Sequence, residues 1–127
     1  MPLPLLSVII PAHNEAERLA PSLTHLNDFL VQQTYQAEVL VVENGSRDKT
    51  FEIASSFISQ MPNLRVLQED LPGKGLAVRS GMLAAQGKYR IFCDADFSMP
   101  VEEISKFIPQ IGKTYDVAIG SRELPES

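Results

Sequence analysis

The chain has 127 residues, 44% of them hydrophobic and 21% charged, with a formal net charge of −5. That is enough chain for one domain with a sizeable core, and the acidic balance argues against a general nucleic-acid binder, which shows a basic face. A single cysteine excludes an internal disulfide, the longest apolar runs are too short to span a bilayer, and no basic stretch precedes the N-terminal apolar run as in a signal peptide.

Leu5 to Ile10 is a β-branched-rich apolar run closed by Pro11, which predicts a central parallel strand buried on both faces. Pro11 to Glu15 follows as a polar loop. A helix is expected from about Glu15, because Leu19, Leu23, Leu26 and Leu30 recur at helical spacing. Glu38 to Val42 predicts the second strand and Glu43-Asn44-Gly45-Ser46 a turn, with positive φ at Gly45 and Ser46 as N-cap of a helix carrying Ile53, Ala54, Phe57 and Ile58. Leu64 to Leu67 predicts a third strand. Gly73-Lys74-Gly75 opens a third helix that runs to about Gln86, with Gly87 as its C′ residue. Tyr89 to Cys93 predicts a fourth strand, delivering Asp94 and Asp96. Pro100 fits the first position of a fourth helix with Val101, Ile104, Phe107 and Ile111 as its core face and Pro109 as a kink or stop. Asp116 to Ile119 predicts a fifth strand before Gly120-Ser121-Arg122.

Strands alternating with helices through short turns predict an α/β fold with a mostly parallel sheet. Each polar cluster of interest falls at the carboxyl end of a strand, where open α/β sheets bind ligands. Asp94-Ala95-Asp96 is the centre of that set. In extended chain its two carboxylates point the same way and could hold a hard divalent cation by oxygen. A solvated turn capping the next helix accounts for the same residues. Asn14 and Glu15, and again Glu43 and Asn44, offer acid and amide groups to a nucleobase edge; helix capping and tight turns explain them equally. Gly73, Lys74 and the start of their helix form an anion site, within reach of Arg79 farther along, or else a solvated Gly-rich turn. The spacing is not that of a P-loop. His13 and His25 have no second His or Cys at ligand spacing and are read as non-ligands, and Cys93, inside an apolar strand, as an inert thiol.

Taken in order, these motifs resemble family 2 glycosyltransferases of the GT-A fold. S-V-I-I-P-A-H-N-E (Ser7 to Glu15), V-V-E-N-G-S-R-D (Val41 to Asp48), G-K-G-L-A-V-R-S-G (Gly73 to Gly81), D-A-D (Asp94 to Asp96) and I-G-S-R (Ile119 to Arg122) are similar to that family's series. Five motifs in the right order are far more specific than any one. In detail the chain looks most like the polyprenyl-phosphate (dolichyl-phosphate) β-glucosyltransferases, with the mannosyltransferases close behind.

The resemblance implies a Rossmann-like three-layer sandwich, with residues 1–127 forming the N-terminal nucleotide-sugar-binding part of a domain truncated on its C-terminal side. It implies an inverting transfer of glucose from UDP-glucose, alternatively of mannose from GDP-mannose, to a polyprenyl phosphate. Pro11, Ala12, Asn14, Glu15, Glu43, Gly45, Lys74, Asp94 and Ala95 would line the donor pocket, with Glu15 and Glu43 toward the base and Lys74 near the diphosphate. Asp94 and Asp96 would be the catalytic acids, Asp96 helping to bind Mg2+ or Mn2+, and Arg79 and Arg122 would be phosphate contacts. Where the family usually has two aspartates before the Gly-Ser turn, this chain has Glu43 and Asn44. The family's acceptor pocket and its catalytic carboxylate belong to a later half. A cytoplasmic location, peripheral association with a membrane's cytoplasmic face, and self-association through an unfinished sheet edge complete the expectations. A nucleotidyltransferase would want a glycine-rich loop after the first strand, and Pro11 to Glu15 has none; a catalytically silent binding module stays open.

Overall fold

The computed structural model describes residues 3–95 and Ile104. The expected helix after Pro100, apart from Ile104, and the strand at Asp116 to Ile119 lie outside them. Within them the order is β1 (Leu6–Ala12), α1 (Ala16–Leu30), β2 (Ala37–Glu43), α2 (Thr50–Ser56), β3 (Leu64–Gln68), α3 (Lys74–Ala84) and β4 (Tyr89–Phe92). The four strands form one parallel sheet in the order β3-β2-β1-β4. β1 pairs with β2 from Leu6↔Ala37 to Ala12↔Glu43, and with β4 from Leu6↔Tyr89 to Ile9↔Phe92.

Alternation along the strands sorts the core into two layers. Leu6, Val8 and Ile10 of β1 pack with Val39, Val41, Tyr89 and Ile91 against the leucine stripe of α1, where Leu19, Leu23, Leu26 and Leu30 are all buried as their spacing predicts. Ile104 is buried in the same layer. Ile9, Leu40, Val42 and Phe92 face the other way, onto Ala77 of α3.

Pro11 does not close β1, as expected from sequence, but lies within it opposite Val42. In a parallel strand alternate residues bond to alternate sides. The carbonyls of Leu5 and Ile9 accept from β4 and its flank, whereas that of Ala12 accepts from Asn44 on the β2 side. The N–H that Pro11 lacks would therefore point toward β4, whose pairing has already ended at Ile9↔Phe92. A proline costs nothing on such an edge.

Two expected helix ends are corrected. α2 starts at Thr50 rather than after Ser46, because Asp48 accepts the Thr50 N–H at 3.0 Å while the Ser46 hydroxyl is taken by the N–H of Asn14 at 2.9 Å. Asp48 also accepts the N–H of Ala16 at 3.1 Å, so one carboxylate serves the starts of α1 and α2. The hydrogen bond from the Thr50 hydroxyl, with those from the Ala16 and Thr50 N–H groups, holds the Asp48 carboxyl below its usual range despite desolvation. α3 ends at Ala84, with Ala85 already extended (φ −68°, ψ 148°), so Gly87 is no C′ residue. Gly87 matters for a different reason. A Cβ there would lie 2.5 Å from the Ser7 hydroxyl, 2.7 Å from the Ser7 nitrogen and 2.8 Å from the Leu6 carbonyl carbon.

That close approach belongs to a polar cluster at the amino end of the sheet. Ser7 is fully buried and donates to Glu38 Oε2 at 2.6 Å, while accepting the N–H of Gly87 at 2.8 Å. Glu38, 7% exposed, also accepts the N–H of Gln86 at 2.6 Å and Arg65 Nη2 at 3.0 Å. Arg65 Nη2 donates further to the Ala84 carbonyl at 2.7 Å. A buried carboxylate is tolerated because it is paired and hydrogen-bonded, and the cluster ties β1, β2 and β3 to the turn that launches β4.

Gly87→Ala should therefore destabilise the fold by about 1–3 kcal/mol, as overpacking against backbone does, read as a lowered urea midpoint. Burial pushes the Glu38 carboxyl up, but the bonds from Ser7, Gln86 and Arg65 outweigh it and leave it below the usual 4.5. A folded-state pKa below the unfolded one gives stability that is present above the unfolded value and lost as pH falls through the folded one. Denaturation midpoints should thus fall as pH drops below the usual carboxylate value of 4.5, and Glu38→Gln should flatten that acid limb. An unchanged limb in Glu38→Gln would assign the acid sensitivity to other carboxylates.

Candidate functional site

The chain leaves β1 for β2 and β3 on one side, then crosses to β4 on the other. The carboxyl ends of β1 and β4 therefore part at a topological switch point, which opens a crevice. A cleft of about 400 Å³ lies there. Pro11, Ala12, His13 and Glu15 contribute from β1 and its turn, Asn44 from the end of β2, Asp94 and Ala95 from the end of β4. Pro72, Gly73, Lys74 and Ala77 line it from the start of α3.

Charge of both signs meets in this cleft. Lys74 Nζ lies 2.5 Å from Asp94 Oδ1, with the lysine 45% and the aspartate 15% exposed. Glu15 Oε1 lies 2.6 Å from Arg18 Nη2 on the first turn of α1. α3 begins at the cleft wall, so its amino-terminal dipole adds positive potential beside Lys74. The His13 ring donates from Nδ1 to the Asn44 carbonyl at 2.5 Å, and its Nε2 lies 3.2 Å from the Asn14 amide nitrogen. Such a cleft suits an anion with a polar appendage: lysine and helix dipole for the anion, carboxylates for hydroxyl or N–H donors.

The family model for glycosyl transferase family 2 matches residues 7–127, nearly the whole chain. The chain belongs to glycosyl transferase family 2. It is 37% identical over 131 aligned positions to a dolichyl-phosphate beta-glucosyltransferase of Drosophila melanogaster, covering 92% of this chain and 40% of that protein. It is 36% identical over 116 positions to a dolichol-phosphate mannosyltransferase of Pyrococcus furiosus, covering 91% and 32%. Among solved structures, the mannosyltransferase PcManGT from Pyrobaculum calidifontis, in complex with GDP-Man and Mn2+, superposes with a TM-score of 0.64 at 27% identity, over 76% of this chain and 28% of that one. The chain spans about a third to two fifths of the length of the curated relatives it matches. The sheet order and layering are those of the GT-A fold that the family's motifs imply.

Within this family 2 domain the structure brings together six of the nine expected donor-pocket residues: Pro11, Ala12, Glu15, Lys74, Asp94 and Ala95. Three are placed elsewhere. Asn14 sits in left-handed backbone (φ 55°), and its side-chain oxygen accepts the N–H of Arg47 at 2.8 Å. It neither caps α1 nor faces the cleft. Glu43 is buried, and its carboxylate accepts the Ser46 N–H and, at 3.3 Å, the Gln68 amide. Gly45 forms the exposed turn with the positive φ (63°) that its position predicts. Arg79 is exposed on α3 and does not line the cleft. Asp96 and Arg122 lie outside the described residues.

His13, Pro72 and Ala77 join the cleft without having been expected there, and Asn44 and Gly73, read from sequence as candidate base and anion contacts, line it too. His13 carried a signal, since it sits within the first motif. Gly73 has φ 122°, open to glycine alone among ordinary residues, and a glycine next to Lys74 at a helix start was the available hint. Cys93, one residue before Asp94, is buried, and burial with the neighbouring Asp94 pushes its thiol up to about 12. Thiol reagents near pH 8 should leave the folded chain unlabelled and modify Cys93 fully once urea unfolds it. Rapid labelling of the folded chain would mean that the end of β4 opens to solvent.

Proposed function

We propose that residues 1–127 form the donor-binding part of an inverting glycosyltransferase that transfers a hexose, glucose from UDP-glucose, to a polyprenyl phosphate. One observation carries the reading: the cleft at the switch point between β1 and β4 pairs Lys74 with Asp94, the first acid of the Asp94-Ala95-Asp96 sequence. Similarity to the Drosophila dolichyl-phosphate beta-glucosyltransferase supports the acceptor and the sugar. The mannosyltransferase from Pyrococcus furiosus, and the solved one with GDP-Man, support GDP-mannose as the alternative donor.

On this reading the acceptor's phosphate oxygen attacks the anomeric carbon, and the bond from that carbon to the donor's diphosphate oxygen breaks. The nucleoside diphosphate leaves with the electron pair. The acceptor phosphate is already anionic near neutral pH, so its attack needs little help from a base. Lys74 would exchange its ion pair with Asp94 for the diphosphate, supported by the α3 dipole, and so steady the charge on the leaving group. Asp94, released from the lysine, would accept from ribose or donor-sugar hydroxyls. Glu15 would accept N–H donors of the base.

Among the described residues no group of three or more His, Cys, Asp or Glu could hold a metal. The chemistry of the D-x-D donors nonetheless fits a hard cation with oxygen ligands. Asp96, with Asp94 beside it, would hold Mg2+ or Mn2+, the rest of its shell coming from the donor and solvent. When bound, the ion supplies positive charge against the departing diphosphate. Among the described residues no helix is long and apolar enough to cross a membrane. Peripheral association with the cytoplasmic face of a membrane and formation of a homo-oligomer are further parts of the proposal.

Calorimetric titration with UDP and with GDP, each with and without Mn2+, tests the reading. UDP should bind, more tightly with Mn2+. Asp96→Ala should abolish the metal-dependent increment, and Lys74→Ala should weaken binding about tenfold, the worth of one charge-assisted hydrogen bond. Preference for GDP would select the mannosyl donor. A folded chain that binds neither nucleotide would sink the proposal, and binding without turnover on a polyprenyl phosphate would mark a silent donor module.

A further inference from the structure

Asn44 is 6% exposed, and its side chain is committed in three directions. The amide nitrogen donates to the carbonyls of Glu69 at 3.1 Å and Leu71 at 2.6 Å, and the amide oxygen accepts the N–H of Gly73 at 3.1 Å. Its backbone joins the first turn as well, donating to the Ala12 carbonyl at 2.9 Å and accepting from His13. One residue at the end of β2 therefore holds both the first turn and the loop that delivers Gly73 to the start of α3. Lys74 follows directly, with its ammonium on Asp94.

The geometry points to Asn44 as the positioning residue of the donor site: it straps the 69–73 loop so that Lys74 meets the anion. The inference rests on the donor-site reading above. Asn44 lines the cleft, yet both N–H groups of its amide are spent on backbone carbonyls, which leaves it no donor with which to read a base. With these three partners in place, an amide supplies what the position needs. An ionised aspartate has the same shape but accepts hydrogen bonds and donates none. Placed at 44, it would keep the Gly73 contact, lose both donors and set a negative charge against two carbonyl oxygens. The loop would be released at Glu69 and Leu71, and with it the placement of Lys74.

Two measurements on the full chain test the strap. In the wild type the Gly73 amide should be protected from hydrogen exchange, and in Asn44→Ala, which removes its acceptor, it should exchange roughly tenfold faster or more. Affinity for UDP with Mn2+, or for GDP should that be the nucleotide bound, should fall about tenfold in both Asn44→Asp and Asn44→Ala. In a Lys74→Ala background the same changes should cost less than about twofold, because the group they position is gone. A loss that persists undiminished without Lys74 would make Asn44 a direct contact or a source of repulsion, and would overturn the inference. So would a freely exchanging Gly73 amide in the wild type, a measurement that stands even where a variant fails to fold. Nucleotide binding that survives both Asn44 variants overturns this inference alone, whereas a folded wild type that binds neither nucleotide removes the donor-site reading with it.

Discussion

The architecture of the site depends on one constraint: β1 is buried on both faces and flanked by strands that all run its way. A parallel neighbour can be reached only by a crossover that carries the chain back to the amino end of the sheet. Every strand then exits at the same end. The turns after β1, β2 and β4 converge there, and α3 starts there because β3 exits there. The switch in direction between β3 and β4 adds the only further ingredient, a gap beside β1 that neither crossover covers. Pro11 fits this arrangement, since the strand runs on past its partner into the gap and needs no donor on that side.

Acid and base pairs occupy both ends of the sheet, and burial gives them opposite meanings. At the amino end Glu38 takes hydrogen bonds from Ser7, Gln86 and Arg65, all supplied by the chain itself. Such a hydrogen-bonded cluster secures register. At the carboxyl end Lys74 and Asp94 pair at the wall of the cleft, with the lysine side chain nearly half exposed. An exposed ion pair contributes little to stability, so exchanging it for a stronger anion costs the fold little. The first pair is part of the framework. The second is available.

Periodicity made the elements legible. The leucine stripe of α1 and the β-branched runs of β1 and β2 depend on local spacing, and the structure keeps them with ends shifted by a residue or two. The positive φ of Gly45 was likewise a local matter. What escaped was set by partners remote in sequence. Ser46 looks like a helix cap until the Asn14 N–H takes its hydroxyl. Gly87 looks like a helix terminator until Ser7 is seen to need the space. Asn14 looks like a helix cap until its oxygen is found on Arg47. Each has two plausible local roles, and only tertiary contact chooses between them. Of the nine residues expected at a donor pocket, six line one cleft, five of them where the chain leaves β1 and β4 and the sixth, Lys74, at the start of α3.

The pair Glu43-Asn44, where the family usually carries two aspartates, shows how far a small departure reaches. The extra methylene of Glu43 lets its carboxylate curl back onto the Ser46 N–H and out to Gln68, closing its own turn. The amide of Asn44 gains two donors that an aspartate lacks, and both are used on the loop before α3. Both side chains are thereby bonded to the chain itself, while Asn44 still lines the cleft. Of the polar side chains left on the cleft, Lys74 and Asp94 already face each other, and Glu15 is paired with Arg18. His13 is itself held by the carbonyl of Asn44. The second motif therefore fixes the walls on either side of the cleft.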